Sequence, residues 1–266
     1  MPATFAANEY VLQQIRQAMP EMRPASMLDL GSGPGTAMWA VREVWPDLRE
    51  VTLVDSNREL IELGQKLASD LPNTQWKLAD ISATEQFENA DLVVLSYALG
   101  ELKSPEKALS RAWKAAGKAI VIIEPGTPRN FAVIAKIRAQ LIAEGGYAVA
   151  PCPHMNGCPM AELGDWCHFA ARLERTAEHR RLKSAALGYE DEKFSYLAFA
   201  KEPVLTPESR IVRHPEIHGG HIRLTLCTAD GLKSSTVTKS NKEWFRAARK
   251  AEWGDAWPPD VSVRED

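Results

Sequence analysis

Two groups of residues have the types and spacing to do chemistry. The first is Asp29-Leu30-Gly31-Ser32-Gly33-Pro34-Gly35, where an acid within an apolar run is followed by glycines at alternate positions. Glycines let the backbone turn tightly and approach a ligand closely, which suits a cofactor seated where a strand hands over to a helix. Asp55 and Asp80 lie at the ends of two later apolar runs, where a carboxylate can accept hydrogen bonds from hydroxyls or amines. The second group is Cys152, Cys158, Cys167 and Cys227, the four cysteines of the chain. Four thiolates complete the coordination of a [4Fe–4S] cluster or of a zinc ion. Successive cysteines are separated by five, eight and fifty-nine residues, so none forms the close pair of a zinc knuckle. The alternative is four independent buried thiols.

The elements around the first group follow a simple alternation. Apolar runs at 26–30, 51–54, 74–78, 92–95 and 119–123 are separated by segments of helical pattern at 36–45, 58–69 and 105–115, after an initial helix at 5–19. Strands apolar throughout, alternating with helices, predict a doubly wound parallel sheet covered on both faces. After a helix at 131–144 the period breaks. Residues 151–168 are rich in Cys, Pro, Gly and His and predict a loop ordered by something other than its own core. A basic helix from Arg172 to Lys183, a returning strand at 194–200, a small antiparallel element at 210–238, a last helix at 241–252 and an irregular tail from Gly254 complete the expectation. The boundary is placed between residues 1–146, the cofactor-binding half, and 147–266, the Cys-rich region with the basic helix, returning strand and C-terminal β/helix element.

The chain has 266 residues, 45% of them hydrophobic, and a net charge of −3. That is ample for a core, and it rules out a global basic field. Residues 1–150 carry 15 Lys and Arg against 18 Asp and Glu, whereas residues 151–250 carry 16 against 12, so a polyanion contact is expected in the second half. No signal-like, transit-like or membrane-spanning segment is read, which predicts a cytoplasmic monomer away from membranes.

The glycine loop with Asp29, Asp55 and Asp80 resembles the class I S-adenosylmethionine-dependent methyltransferases. An NAD-binding domain would share the glycines and Asp55, but not Asp29, Asp80 and the Gly-Ser-Gly-Pro-Gly spacing. The resemblance implies that Asp29 faces the methionine ammonium, Asp55 the ribose hydroxyls, and Asp80 with Ile81 the adenine. Gly31, Ser32, Gly33, Gly35, Ser56 and Ser96 complete the implied cofactor set. No catalytic residue is assigned. After the fourth strand, Ser96-Tyr97-Ala98-Leu99-Gly100-Glu101-Leu102 lacks the Pro-Pro-aromatic loop of nucleic-acid amino-methylating enzymes. Tyr97 could stack on a substrate and Glu101 act as a base, but loop packing explains them better.

Almost the whole chain resembles the ribosomal small-subunit protein 22 family, most specifically in the cysteine block. The likeness runs from Tyr10 to Trp257 and is carried by Cys152-Pro153-His154 to Cys158-Pro159, Asp165-Trp166-Cys167-His168-Phe169, Tyr189-Glu190-Asp191-Glu192-Lys193-Phe194-Ser195-Tyr196, Leu226-Cys227 and Trp253-Gly254-Asp255. These are methyltransferase-like proteins tied to small-subunit assembly, and the chain is read as a bacterial-type member. The family's cluster-binding cysteines correspond to Cys152, Cys158, Cys167 and Cys227, which implies a [4Fe–4S] cluster, with zinc as the alternative. Mitochondrial members keep the fold without catalysis, so the resemblance leaves methylation by this chain open. Arg172, Arg175, His179 and Lys183 recur at helical spacing with Arg180 and Arg181 beside them, and Lys239, Lys242, Arg246 and Lys250 repeat the pattern on the last helix. Alone they describe solvated faces; with the family resemblance they imply contacts to rRNA phosphates. The expectation is an S-adenosylmethionine-binding, iron–sulfur factor acting on the small ribosomal subunit or its rRNA. Its rival is a freestanding methyltransferase of a small molecule or protein with a structural zinc.

Overall fold

Leu92–Leu95 and Ala119–Ile123 are apolar at every position, and in the fold both faces of these runs are covered. The computed structural model describes residues 1–182 and 187–259. Its elements are α1 (Pro2–Ala18), β1 (Ser26–Leu30), α2 (Thr36–Val44), β2 (Glu50–Asp55), α3 (Arg58–Leu67), β3 (Thr74–Leu78), β4 (Ala90–Ser96), α4 (Pro105–Ala115), β5 (Ala116–Pro125), α5 (Pro128–Ala143) and β6 (Tyr147–Ala150). The Cys-rich stretch contains the one-turn α6 (Pro159–Glu162), and after it come β7 (Phe169–Glu174), α7 (Ala177–Leu182), β8 (Tyr189–Ala200), β9 (Ser209–Ile211), β10 (Glu216–Ile217), β11 (His221–Thr228), β12 (Gly231–Thr238), α8 (Lys242–Lys250) and β13 (Ala256–Trp257).

The large sheet runs β3-β2-β1-β4-β5-β8-β6. β3, β2, β1, β4 and β5 pair in parallel, while β8 is antiparallel to both β5 and β6. Its last two strands thus come from beyond residue 146. One face packs on α1 and α2 through Val11, Leu12, Met38 and Val41 against Leu53, Val94 and Val121. The other packs on α4 and α5 through Leu109, Trp113, Ile134 and Leu141 against Val93, Ile120 and Ile122. A second, antiparallel sheet holds β9 to β13, and α8 closes its core of Ile211, Ile222, Leu224, Val237 and Trp257 by burying Ala248. Among the described residues no helix is long and apolar enough to cross a membrane.

The second half departs from the sequence expectation in three places. The basic helix expected from Arg172 to Lys183 is instead β7 followed by the short α7, and Lys183 lies outside the described residues. β7 pairs with the first half of β8, placing Arg172 opposite Asp191 and Leu173 opposite Glu190. Cross-strand charge pairing fixes this hairpin, and a reading of either segment alone cannot see it. The returning strand consequently begins at Tyr189 rather than Phe194, and Tyr147–Ala150 forms an unanticipated strand on its far side. The tail after Gly254 is also not irregular. Ala256 and Trp257 pair with Arg210 and Ser209, and Trp257 is buried.

Gly64 marks a tight contact between α3 and β3. A Cβ added there would sit 2.1 Å from the Trp76 ring, and one added at Gly35 would lie 2.9 Å from the same ring. Replacing a helical glycine by alanine ordinarily gains about 1 kcal/mol. Here overpacking, at about 1–3 kcal/mol, outweighs that gain. Gly64→Ala is therefore expected to lower the urea midpoint, and adding Trp76→Leu should recover much of the loss. A rise in the midpoint for Gly64→Ala alone would contradict this packing.

Candidate functional site

A pocket of about 460 Å³ opens where β1, β2 and β4 end, within the size range of small-molecule sites. Of the implied cofactor set, Asp29, Gly31, Ser32, Gly33, Asp55, Ser56, Asp80, Ile81 and Ser96 all line it. Gly35 does not. It sits at φ +82° before α2, and the space a side chain would need is filled by Trp76, Leu53 and Met38, so this glycine serves packing. Unanticipated lining residues include Thr4, Asn57 and Leu60. Asn57 carried a legible signal, because its side chain caps α3 by accepting from the amides of Glu59 and Leu60. Thr4 carried none, since it reaches the pocket from the distant α1.

The acids of the pocket differ physically. Asp55 accepts from the amides of Gly33 at 2.7 Å and Asn57 at 2.8 Å, tying the glycine loop to the start of α3 while leaving lone pairs free. Asp80 is exposed and is held below the usual carboxylate range, chiefly by the hydroxyl and amide of Ser82, each at 2.7 Å. Asp29 is 1% exposed, and among the described residues neither carboxylate oxygen has a hydrogen-bond partner. Burial, reinforced by Asp55, pushes its pKa up to about 8. Such a group satisfies its desolvation by keeping a proton or by meeting a cation, and the ammonium of an amino acid-type ligand would serve.

The pocket wall after β4 is fixed from behind. Tyr97 adopts φ +59° and donates its hydroxyl to Glu192 Oε1 at 2.8 Å; burial, then Glu192, raise its pKa. That bond commits the ring polar end to β8 rather than to a substrate. Glu124, buried on β5, accepts from the Leu99 amide at 2.8 Å and fills the space a side chain at Gly100 would need. Burial raises the Glu124 pKa, opposed by the amides of Gly100, Leu99 and Ala98. Leu99 is buried in the core, while Glu101 and Leu102 line the pocket.

The four cysteines come together. Cys152, Cys158, Cys167 and Cys227 all line one small cavity, which is walled also by Arg138 and by apolar groups such as Phe131, Ile134, Phe169 and Leu197. Burial raises the thiols of Cys152, Cys167 and Cys227, the last to about 12, while Arg138 and Arg210 pull Cys152 and Cys227 back down. His154 Nε2 lies 3.5 Å from the Cys227 sulfur, and the Ser195 hydroxyl donates to the Cys167 carbonyl at 2.7 Å. Among the described residues no three His, Cys, Asp or Glu side chains are placed to hold a metal ion as they stand. The donor set and the nearby cations fit a thiolate-bound group, and loading would require the thiols to turn toward a common centre.

The two basic groups differ. Arg172 makes a bidentate pair with Asp191 at 2.7 and 2.8 Å and stacks over Tyr189, and Arg175 pairs with Glu190 at 3.0 Å. These two arginines staple the β7/β8 hairpin, which corrects the expectation that they share a helix face. Arg180 is exposed on α7. On α8, by contrast, Lys242, Arg246 and Lys250 join Lys239, Arg249 and Phe245 around one open surface groove. Among the described residues none of these five cations makes a salt bridge.

Five parallel strands, an antiparallel strand inserted before the last, and a pocket at the glycine loop together define a protein of class I methyltransferase-type fold. The chain belongs to the Rsm22 family, described as mitochondrial small ribosomal subunit Rsm22, which matches residues 1–258. It is similar to the mitochondrial ribosome assembly protein METTL17 of Homo sapiens, 28% identical over 285 residues that cover 96% of this chain and 60% of that protein. It is also similar to the mitochondrial Rsm22-cox11 tandem protein 2 of Schizosaccharomyces pombe, 26% identical over 331 residues covering 99% and 43%. The chain thus spans at most 60% of the length of these curated relatives. Among solved structures it is similar to the N-methyltransferase NodS of Bradyrhizobium japonicum bound to S-adenosyl-L-homocysteine, with a TM-score of 0.48 and 13% identity over 73% of this chain and 87% of that one.

Asp29 makes the ligand-free protein pH-sensitive. The folded chain keeps a proton on this carboxyl up to about pH 8, whereas the unfolded chain releases it near the ordinary 3.8. The stabilising proton is therefore fully present below about 3.8 and lost as the pH rises through about 8. Compared with wild type, Asp29→Asn should show a flatter fall of unfolding free energy across that window in denaturant titrations. Parallel curves for the two proteins would refute the assignment.

Proposed function

We propose that this chain is an S-adenosylmethionine-binding, iron–sulfur-containing methyltransferase-like factor that acts on the small ribosomal subunit or its rRNA during assembly. The observation that carries the reading is family membership over residues 1–258, together with a relative whose name is that of a ribosome assembly protein. Asp29 would meet the cofactor ammonium, Asp55 the ribose hydroxyls through its remaining lone pairs, and Asp80 with Ile81 the adenine. When bound, S-adenosylmethionine supplies an electrophilic methyl group. Gly31 and Gly33 keep the backbone open to the ligand at φ +74° and +52°, while Glu124 and the Tyr97–Glu192 bond hold the opposite wall. With the Tyr97 hydroxyl committed to Glu192 and no Pro-Pro pair after β4, assembly is the primary role in this reading and rRNA methylation a secondary one.

Cys152, Cys158, Cys167 and Cys227 would hold the cluster. In the fold they join the loop after β6 to β11 of the second sheet, and through Cys167 to the edge of β7. Closing a loop that long removes unfolded-state entropy, so a group held there would order a segment with no core of its own. The α8 groove would take the RNA backbone. Its five cations are free to release counter-ions from phosphates, whereas Arg172 and Arg175 are already neutralised.

Two measurements test this. Asp55→Ala should weaken S-adenosylmethionine binding in calorimetry by about 1.5–3 kcal/mol, the worth of hydrogen bonds to a charged group, in a protein that still folds. Unchanged affinity would remove Asp55 from the cofactor site. Lys242→Glu with Arg246→Glu should weaken binding to small-subunit rRNA and lower its salt slope by roughly 0.9 per lost phosphate contact on duplex-like backbone. If affinity and slope both survive, α8 is a solvated face and the RNA reading fails there.

A further inference from the structure

Arg138 on α5 and Arg210 on β9 are each only 4% exposed. Among the described residues neither guanidinium has a carboxylate within salt-bridge distance. Their hydrogen bonds are met by uncharged acceptors. Arg138 donates from Nε to the Cys152 sulfur at 3.3 Å and from Nη2 to the His154 carbonyl at 2.7 Å. Arg210 donates from Nε to the Pro151 carbonyl at 2.8 Å and from Nη1 to the Gln14 side chain and the Gly254 carbonyl, both at 2.8 Å. The two arginines thus grip the backbone on either side of Cys152.

An arginine cannot shed its charge inside a protein, and a buried charge with no counter-charge is among the costliest arrangements a fold can contain. Two such charges beside one cavity imply that about two negative charges belong there. Four protonated thiols supply none. Four thiolates around an oxidised [4Fe–4S] core, or around a zinc ion, carry a net charge of minus two, because in each case four negative sulfurs surround a doubly positive centre.

We propose that Arg138 and Arg210 are the resident counter-ions of a doubly negative four-thiolate metal site, and that Arg138 is a positioning residue that sets how tightly the metal is held and at what potential it is reduced. The inference rests on the metal-binding reading of the four cysteines given above. A fixed N–H donor to a ligand sulfur and a buried cation both favour the more negative, reduced state, and hence raise the reduction potential. The same cation favours thiolate over thiol and so opposes metal loss.

The test uses the full chain, loaded anaerobically with iron and sulfide, or in parallel with zinc, as wild type, Arg138→Met and Arg138→Lys. Circular dichroism verifies folding, a chelator challenge gives the rate of metal release, and a potentiometric titration followed by electron paramagnetic resonance gives the midpoint potential. Arg138→Met should release metal about tenfold faster and lower the midpoint by 59 mV, the one-electron equivalent of a tenfold change. Arg138→Lys, which keeps the charge but loses the fixed fork, should fall between. A folded Arg138→Met with wild-type release and potential overturns the proposal. If that variant does not fold, a wild-type result for Arg138→Lys overturns it instead. Wild-type protein that takes up zinc alone leaves the release rates to decide. Wild-type protein that takes up neither metal overturns the underlying reading and the proposal with it.

Discussion

The structure depends on how β8 is inserted. This one strand pairs antiparallel with β5, β6 and β7, so it closes the large sheet and carries the hairpin that leads away from it. Side chains of β8 then reach both candidate sites. Glu192 holds the hydroxyl of Tyr97 on the pocket wall, and Ser195 holds the carbonyl of Cys167 at the thiol cavity. Ser195 lies opposite Glu124 in the ladder with β5, and Glu124 in turn binds the loop beside the pocket. Pocket and cavity are therefore joined across a single ladder position.

The two sites share a second physical trait. Among the described residues, the pocket contains a buried acid with no hydrogen-bond partner, Asp29, and the cavity is flanked by two buried arginines with no carboxylate within salt-bridge distance, Arg138 and Arg210. Native folds rarely leave such groups unanswered inside the chain. The two places call for opposite partners, a proton or a cation at Asp29 and, on the proposal above, an anionic group between the arginines. Each site is thereby specified by a deficit that a neutral apolar ligand would not fill.

How much of this was legible in the sequence follows from the range of the interactions involved. The parallel strands and the glycine loop were readable because each is a local run of apolar residues or glycines, and nine of the ten implied cofactor residues do line the pocket. The packing reason for a glycine at position 35 is not legible locally, because the ring of Trp76 that needs the space lies on a separate strand, β3. β7 shows helical spacing at Arg172 and Arg175, whereas the residues that pair with them, Asp191 and Glu190, lie on another strand, past α7. The strand at the tail escaped notice for the same reason: two residues carry no period, and only Ser209 and Arg210 give them a partner. The charge deficit at the thiol cavity was invisible, since nothing in the sequence indicates that Arg138 and Arg210 are buried on either side of Cys152.

The first helix has a consequence for the order of assembly. α1 packs its apolar face, with Ala7, Val11 and Leu12, in one core with Phe169, Phe194 and Tyr196, and Tyr10 meets the Phe194 ring edge-on at 5.5 Å. On a ribosome adding roughly 5–20 residues per second, α1 waits on the order of ten seconds or more after its synthesis for its partners on β7 and β8. During that interval its apolar stripe is uncovered, and α1 must find β7 and β8 late. A nascent chain of this kind is one for which a chaperone that shields α1 during synthesis matters more than one that acts after release.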